Sequence, residues 1–297
     1  MTIAIVERDK MISGWLAQSA SGARQSGCGR WELTLKNRGR AGAFASVEDD
    51  WLVFVLPLTG AIIPADEWSL LCRNADLAGL CKFVHSPGHS PRQLRADLPM
   101  DSQDRFARLP RRIKETLEDL EAAWEGLRDA PKSAAPAAER RPRKIHPGPE
   151  DAVNLADHLN GMDWPFVERA PSKYAVDLEV QGSFAQAIVE HQNDLVVSYM
   201  EAARFASLSA MQRAALGSFL LEVSGAVRMA RASVVEAETA AVVRFEVRVA
   251  APSPAELGHA LAALSVAANL YGREAQCFEN RQVAEIYLVA NGHACVP

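Results

Sequence analysis

Three residues in the first half of the chain have types and a spacing that could bind a metal ion. Cys81, His85 and His89 follow one another at intervals of four residues, and Cys and His are the usual ligands of zinc. A structural zinc site needs about four ligands in a tetrahedral arrangement, and the next candidate, Cys72, fits a buried apolar thiol at the end of a helix equally well. Residues 81 to 100 also fit an ordinary β-hairpin around a Ser-Pro-Gly turn. We favour the hairpin, with two solvated histidines at its tip, over a metal site.

The remaining candidates for catalysis have simpler interpretations. The Gly-x-Gly at residues 27 to 29 precedes a predicted strand, whereas a phosphate-binding loop follows a strand and opens a helix. The carboxylates of Glu48, Asp49 and Asp50 fall in a turn between predicted strands. No nucleophile, base and orienting residue can be assembled from the sequence. We therefore expect a protein that is not an enzyme and that has no cofactor and no metal.

Two short charged patterns could form a polar surface. Arg95 and Asp97 lie two residues apart in a predicted strand, and Arg244 and Glu246 repeat this pattern in the second half. Residues two apart in a strand project to the same face of the sheet. The patterns fit either a recognition strip for a partner or ion pairs on a solvated face, and we favour solvated ion pairs.

The composition limits the classes of partner and the compartment. The chain has 297 residues, 48% of them hydrophobic, and a net charge of -5, which gives enough apolar material for two domains and no basic face for nucleic acid. Five cysteines without dense spacing are typical of reduced thiols. The N-terminus is too polar for a signal peptide, and no apolar run is long enough to span a bilayer. We expect a cytoplasmic protein that binds neither nucleic acid nor membrane.

A Pro- and Ala-rich segment divides the chain into two halves. Residues 129 to 149 have few large apolar side chains and no sustained period, which is a linker composition. We predict a first domain at residues 1 to 128 and a second at residues 150 to 297.

The two halves repeat the same order of predicted elements. Three strands with period-two alternation come first, from residue 31 in one half and from residue 174 in the other. A short helix at 67 to 75 then matches 217 to 225, and two strands and an amphipathic helix follow in both halves. Ser253, which precedes Pro254, predicts the start of the last of these helices.

The predicted fold class follows from this repeat. It is α+β, with two tandem two-layer domains, each an antiparallel sheet with helices in the order α-β-β-β-α-β-β-α. An antiparallel sheet that is covered by helices on one face leaves its other face to meet something else.

At this point the residues carry a family resemblance. The stretch L-L-C-R-N-A-D-L-A-G-L-C-K-F, then L-R-A-D-L-P-M and a helix that begins near Phe106, resembles type III secretion chaperone-like domains and the related bacterial sensory-transduction regulator group. Residues 67 to 127 match the pattern well, and residues 217 to 271 match it more weakly, with Ser224 where the first copy has Asn74.

The resemblance implies a small α+β domain that pairs into a dimer and binds an extended segment of a partner protein. A tandem chain would form that dimer within one molecule, so we expect a monomeric pseudo-dimer rather than a homodimer. The family has no catalytic residues to carry over.

Large apolar residues in both halves exceed what two small cores need, and they are our candidate binding residues. We expect them to line an interface between the domains, to fill the cores or to form a client groove. They are Trp51, Phe54, Trp124, Leu127, Phe184, Tyr199, Leu270 and Tyr271.

The sequence therefore predicts a chaperone-like protein whose two repeats form an intramolecular pseudo-dimer and bind a partner polypeptide. The alternative is a regulatory protein that senses a small molecule or signal in a pocket at the domain interface.

Overall fold

A computed structural model describes residues 5–35, 42–58, 66–86, 89–100, 103–128, 154–162, 164–192 and 194–291. The predicted linker, residues 129 to 149, lies outside the described residues, and so does the boundary at residue 150.

The described part of the first half contains three helices and six strands. They are α1 (Ile5–Ser19), β1 (Gly22–Gly27), β2 (Arg30–Thr34), β3 (Gly42–Glu48), β4 (Trp51–Pro57), α2 (Glu67–Asn74), β5 (Lys82–Ser86), β6 (His89–Pro99) and α3 (Gln103–Arg128). The predicted hairpin is present, because β5 and β6 pair antiparallel.

The second half repeats this order and adds one helix. Its elements are α4 (Leu155–Asn160), β7 (Phe166–Ala170), β8 (Lys173–Val180), β9 (Ser183–Gln192), β10 (Leu195–Phe205), α5 (Ala210–Ala226), β11 (Arg231–Ala237), β12 (Ala240–Ala250), α6 (Pro254–Cys277) and α7 (Arg281–Ala290). The predicted α+β class is confirmed.

Each half has one strand more than the sequence pattern indicated. The additional strands, β1 and β7, lie at the outer edges of two six-stranded sheets with the orders β1-β2-β3-β4-β6-β5 and β7-β8-β9-β10-β12-β11. Both strands are mostly exposed along their length. A strand that is exposed on both faces lacks the alternation of apolar and polar residues from which strands are predicted.

The helices α1 and α3 pack on the first sheet, and α6 packs on the second. Alternation along the strands supplies the core: in β2, Trp31 and Leu33 are buried between exposed neighbours. Helix α6 begins as predicted, because Ser253 and Glu256 form a capping box with Pro254 in the first turn. None of the helices in the described ranges is long and apolar enough to cross a membrane.

The second helix of each half packs on the opposite half. Helix α2 contacts β11 and α5 of the second half, and α5 contacts β5 of the first half. The inner edge strands, β5 and β11, are therefore covered by helices of both halves, while β1 and β7 remain at the outer edges.

Candidate partner-binding surface and the interface that positions it

One row of paired residues crosses the whole second sheet, on the face opposite its helix-covered core. It runs from β7 at the outer edge to β11 at the inner edge through Val167, Ala175, Ile188, Tyr199, Glu246 and Arg231. We call this the second-sheet row. Val167 is 56% exposed, whereas Glu246 and Arg231 at the other end are 2% exposed. The row therefore changes from an exposed apolar end to a buried charged end.

The first sheet has an equivalent row with a different outer end. It runs from β1 to β5 through Arg24, Glu32, Phe44, Val55, Arg95 and Lys82. In this first-sheet row the outer positions form an exposed ion pair, with Arg24 Nη2 2.9 Å from Glu32 Oε2. The inner end is again a buried cation, because Lys82 is fully buried.

The inner end of each row carries a buried ion pair. Lys82 Nζ lies 2.7 Å from Asp97 Oδ2, and Arg231 Nε lies 2.9 Å from Glu246 Oε1. The expectation of solvated ion pairs was therefore wrong for Asp97 and Glu246, which are both buried. Asp97 pairs with Lys82 of the neighbouring edge strand and also with Arg95 of its own strand, whose Nε lies 2.8 Å from Asp97 Oδ1. Glu246 pairs with Arg231 of the edge strand and with Arg248.

Each buried cation also binds the backbone of the opposite half. Lys82 donates to the carbonyl oxygens of Val227 (2.7 Å) and Ala230 (3.3 Å), which lie between α5 and β11. Arg231 donates to three carbonyl oxygens between α2 and β5, those of Leu77, Gly79 and Cys81. Because these carbonyls face a charged donor, charge-assisted hydrogen bonds hold the α5–β11 loop against the first half and the α2–β5 loop against the second half.

The ionisation of these groups reflects burial and pairing. Burial lowers the pKa of Lys82 to about 8, against the opposing attraction of Asp97. Burial alone would raise the pKa of Asp97, but Lys82 and Arg95 outweigh it and lower that pKa to about 2. Burial also lowers the pKa of Arg231, opposed by Glu246. Near neutral pH Lys82 and Asp97 are therefore both ionised in the interior.

The side-chain amide of Asn74 forms hydrogen bonds with both inner edge strands. Asn74, at the end of α2, accepts a hydrogen bond from the backbone N–H of Phe83 (2.7 Å) and donates to the carbonyl of Ala232 (2.9 Å). Its counterpart in the second half, Ser224, accepts from the N–H of Ala232 (2.8 Å). These side chains satisfy backbone groups on β5 and β11 that a sheet edge otherwise leaves unpaired.

The outer edge at β7 has a different character. The N–H of Asp177 donates to the carbonyl of Pro165, so residues 165 and 177 form a hydrogen-bonded pair. By the alternation of antiparallel pairing, the backbone groups of Phe166 and Glu168 point away from β8. Within the described part of the chain, no backbone partner is found for them. This edge therefore presents free donors and acceptors beside exposed Val167.

The eight candidate binding residues do not form one surface. Phe54, Trp124 and Leu127 are buried in the core and offer no surface to a partner. Trp51 is partly buried at the contact between the halves, where its ring stacks on His259 at a centroid distance of 6.3 Å.

The other four candidates lie in the second half. Tyr271 is partly buried and contacts the ring of Phe219, while Leu270 is 54% exposed on α6. Tyr199 lies in the second-sheet row. Phe184 is 75% exposed and lies on the same sheet face, four residues before Ile188 on β9. Two of the eight, Tyr199 and Phe184, therefore share the open face of the second sheet.

Two of the three possible metal ligands, Cys81 and His85, lie near the contact between the halves. Cys81 is buried, and burial raises its pKa well above the usual range. The expectation of a solvated histidine was wrong for His85, because its side chain is partly buried and its Nδ1 lies 3.8 Å from Glu222 Oε1 of α5 in the opposite half. Among the described residues there is no group of three or more His, Cys, Asp or Glu placed to hold a metal ion.

Sequence reasoning missed Lys82 and Arg231, the two residues that join the halves most closely. The signal was present, since each is a cation that opens a strand at the same place in its repeat. Lys82 and Arg231 align at a shift of 149 residues, the shift that also aligns Arg95 with Arg244, whereas a shift of 150 aligns Arg231 with Cys81 and conceals the match.

Comparison with known proteins yields little. No protein-family model and no curated protein matches the chain. Among solved structures, a di-domain ARO/CYC protein, BexL from the BE-7585A biosynthetic pathway, is 13% identical over 99% of this chain and 94% of its own, with a TM-score of 0.15. A likeness at that TM-score carries no argument about fold or function.

Proposed function

We propose that this protein is a non-enzymatic, chaperone-like binding protein whose two halves act as an intramolecular pseudo-dimer and hold an extended segment of a partner polypeptide. The observation that carries this proposal is the outer end of the second-sheet row. There, a free strand edge at β7 adjoins exposed Val167, and the row continues through partly exposed Ile188 and Tyr199. The resemblance to type III secretion chaperone-like domains supports the same function.

Strand addition explains how such a surface would bind. A partner segment that pairs with β7 would bond to the outward backbone groups of Phe166 and Glu168, which gives affinity that tolerates different sequences. Its alternate side chains would project onto the open face beside Val167. Apolar side chains at those positions would give selectivity.

A proline substitution tests this binding mode. A library of random 12-residue peptides is displayed on phage and selected on the full chain, and one selected peptide is then titrated against variants. Glu168→Pro removes an outward N–H at an edge position, where proline is tolerated, and we expect it to weaken binding at least about tenfold. Glu168→Ala keeps the N–H and should bind as the natural chain does. Equal affinity for both variants, or no peptide selected, would contradict the proposal.

We also propose a reducing compartment such as the cytoplasm, which is supported by the free thiols of the described cysteines, residues 28, 72, 81 and 277.

A second candidate function rests on a cavity between the halves. A space of about 420 Å³ lies between the starts of α2 and α5, lined by Asp66, Trp68, Leu208, Ala210, Arg213 and Ala214. The guanidinium of Arg213 lies 5.7 Å from the centre of the Trp68 ring, so a small molecule in the cavity would alter the environment of that indole. A saturable change in tryptophan fluorescence that Trp68→Phe abolishes, in a small-molecule screen, would favour a sensor.

A further inference from the structure

The contact between the two halves is asymmetric at several matched positions, although the repeats are related. Helices α2 and α5 meet at Glu67 and Gly217, which open the matched stretches E-W-S-L-L-C-R-N-A and G-S-F-L-L-E-V-S-G. A Cβ atom at Gly217 would lie 2.9 Å from the Cβ of Glu67 and 3.0 Å from the backbone nitrogen of Trp68. The close approach of the helices therefore requires a residue without a side chain on one side.

The next matched pair is also unequal in size. Trp68 is 6% exposed, and its indole N–H donates to Glu236 Oε1 of β11 at 2.9 Å. Its counterpart is Ser218, a much smaller residue that is also buried. The contact thus joins a large residue of the first half with the small residues of the second.

The number of N–H donors on each buried cation suits the number of carbonyls that the opposite loop presents to it. Lys82 has three N–H donors, and they meet Asp97 and the carbonyls of Val227 and Ala230. Arg231 offers five donors in a planar fork, and it meets Glu246 and three carbonyls of the first half. Exchanging the cations would leave a buried carbonyl without a donor on one side and surplus guanidinium donors on the other.

We propose that this interface accepts only one pairing, first half with second half, and discriminates against pairing of either half with a copy of itself. Two first halves would oppose Glu67 to Glu67, with overlapping side chains and like charges. Two second halves would oppose Gly217 to Gly217 and replace Trp68 by Ser218, so that the contact would lose its largest side chain and Glu236 would lose its donor. Repulsive and missing contacts of this kind are how interfaces select partners.

Hydrogen bonding at the strand edges points the same way. The single amide of Asn74 serves Phe83 and Ala232 together. Two second halves would have only the serine hydroxyls of Ser224, which would leave the carbonyl of Ala232 without the donor that Asn74 provides. The surface formed by α5, β11 and the loop between them therefore fits the first half of this chain as its partner.

A competition between pairings tests the selectivity. A protease site is introduced within residues 129 to 149 of the full chain, and natural and ¹⁵N-labelled preparations are cleaved, mixed, unfolded in urea and refolded by dilution. Native mass spectrometry should show one-to-one complexes of first and second halves, with labels exchanged between them. Dimers of two first or two second halves, in the proportions of random pairing, would overturn the proposal.

The inference rests on the intramolecular pairing in the proposed function, and the two can fail separately. Fragments that come apart after cleavage, before any denaturation, would contradict the pairing itself, whereas self-pairs would contradict only its selectivity. Neither outcome depends on client binding.

A glycine pair in the intact chain provides a second measurement that needs no refolding. Gly217→Ala should lower Tm by at least about 3 °C, and Glu67→Gly in the same chain should recover part of that loss because it removes the opposing Cβ. Gly258→Ala in α6 is the matched control, since no atom lies within 4 Å of a Cβ there. Equal Tm values for Gly217→Ala and Gly258→Ala would contradict the close contact on which the selectivity depends.

Discussion

The first-sheet row and the second-sheet row have nearly the same inner end and opposite outer ends. Both finish in a buried cation, Lys82 or Arg231, that is paired with a carboxylate and covered by the other half. At the outer edge, Arg24 of the first row forms an exposed ion pair, whereas Val167 of the second is an exposed apolar residue. The two repeats share a buried, paired cation at their contact and have outer edges of opposite character. The contact between the two halves and the binding of a partner can therefore be tested separately.

The largest expected effect comes from the inner end of the first-sheet row. Lys82→Met leaves Asp97 buried without its closest cation and two carbonyls of the second half without a donor. We expect the free energy of unfolding to fall by about 3–5 kcal/mol, measured by urea denaturation. Arg24→Met at the outer end of the same row is the control, and it should cost less than about 1 kcal/mol because its ion pair is exposed. Similar losses for both variants would contradict the contrast between the two ends.

The amide that serves both inner edges should have the next largest effect. Asn74→Ala leaves the N–H of Phe83 and the carbonyl of Ala232 without this partner in a buried site. We expect a loss of about 2–4 kcal/mol in the free energy of unfolding. The comparison is Asn291→Ala at the exposed end of α7, which should change stability by no more than about 0.5 kcal/mol. An Asn74 variant as stable as that control would show that the edges do not depend on the amide.

Low pH should lower the stability of the protein, because it protonates Asp97 in the buried ion pair with Lys82. The pKa of Asp97 is lowered from 3.8 to about 2 in the folded chain, so the ionised carboxylate contributes stability above pH 3.8 that is lost as the pH falls through that interval. The loss is about 2 kcal/mol. Urea denaturation at a series of pH values from 5 to 2 should show a shallower decline for Asp97→Asn than for the natural chain. Parallel curves would mean that Asp97 is not held in its charged form by Lys82 and Arg95.

A substitution at the outer end of the second-sheet row should weaken peptide binding and leave the stability of the fold nearly unchanged. Val167→Lys replaces an exposed apolar side chain, so stability should change by no more than about 0.5 kcal/mol. Affinity for a peptide selected on the full chain should fall about tenfold, because the partner side chains beside β7 would then face a charge. Phe44→Lys, at an exposed position of the first-sheet row, should leave that affinity unchanged. Loss of binding in Phe44→Lys alone would move the proposed surface to the first sheet.

Much of the fold could be predicted because the repeat supplies each element twice. The hairpin of β5 and β6, the capped start of α6 at Ser253 and the α+β class all follow from local periodicity and capping. The outer strands β1 and β7 could not be predicted in this way, since exposure on both faces removes the alternation.

The candidate site was harder to predict because it depends on contacts between distant residues. Local patterns placed Arg95 and Asp97 on one sheet face but could not show that loops of the second half bury the aspartate. Large apolar residues were equally ambiguous: Phe54 in β4 is fully buried, whereas Phe184 in β9 is 75% exposed. Burial of a single side chain is decided by what packs over it.

Amide hydrogen exchange on the full chain, with and without a selected peptide, tests the central claim most directly. The account predicts that the peptide slows exchange at the outward amides of Phe166 and Glu168 in β7 and leaves the amides of β1 unchanged. Protection in β1, or at the start of α2 beside Trp68 without protection in β7, would contradict it.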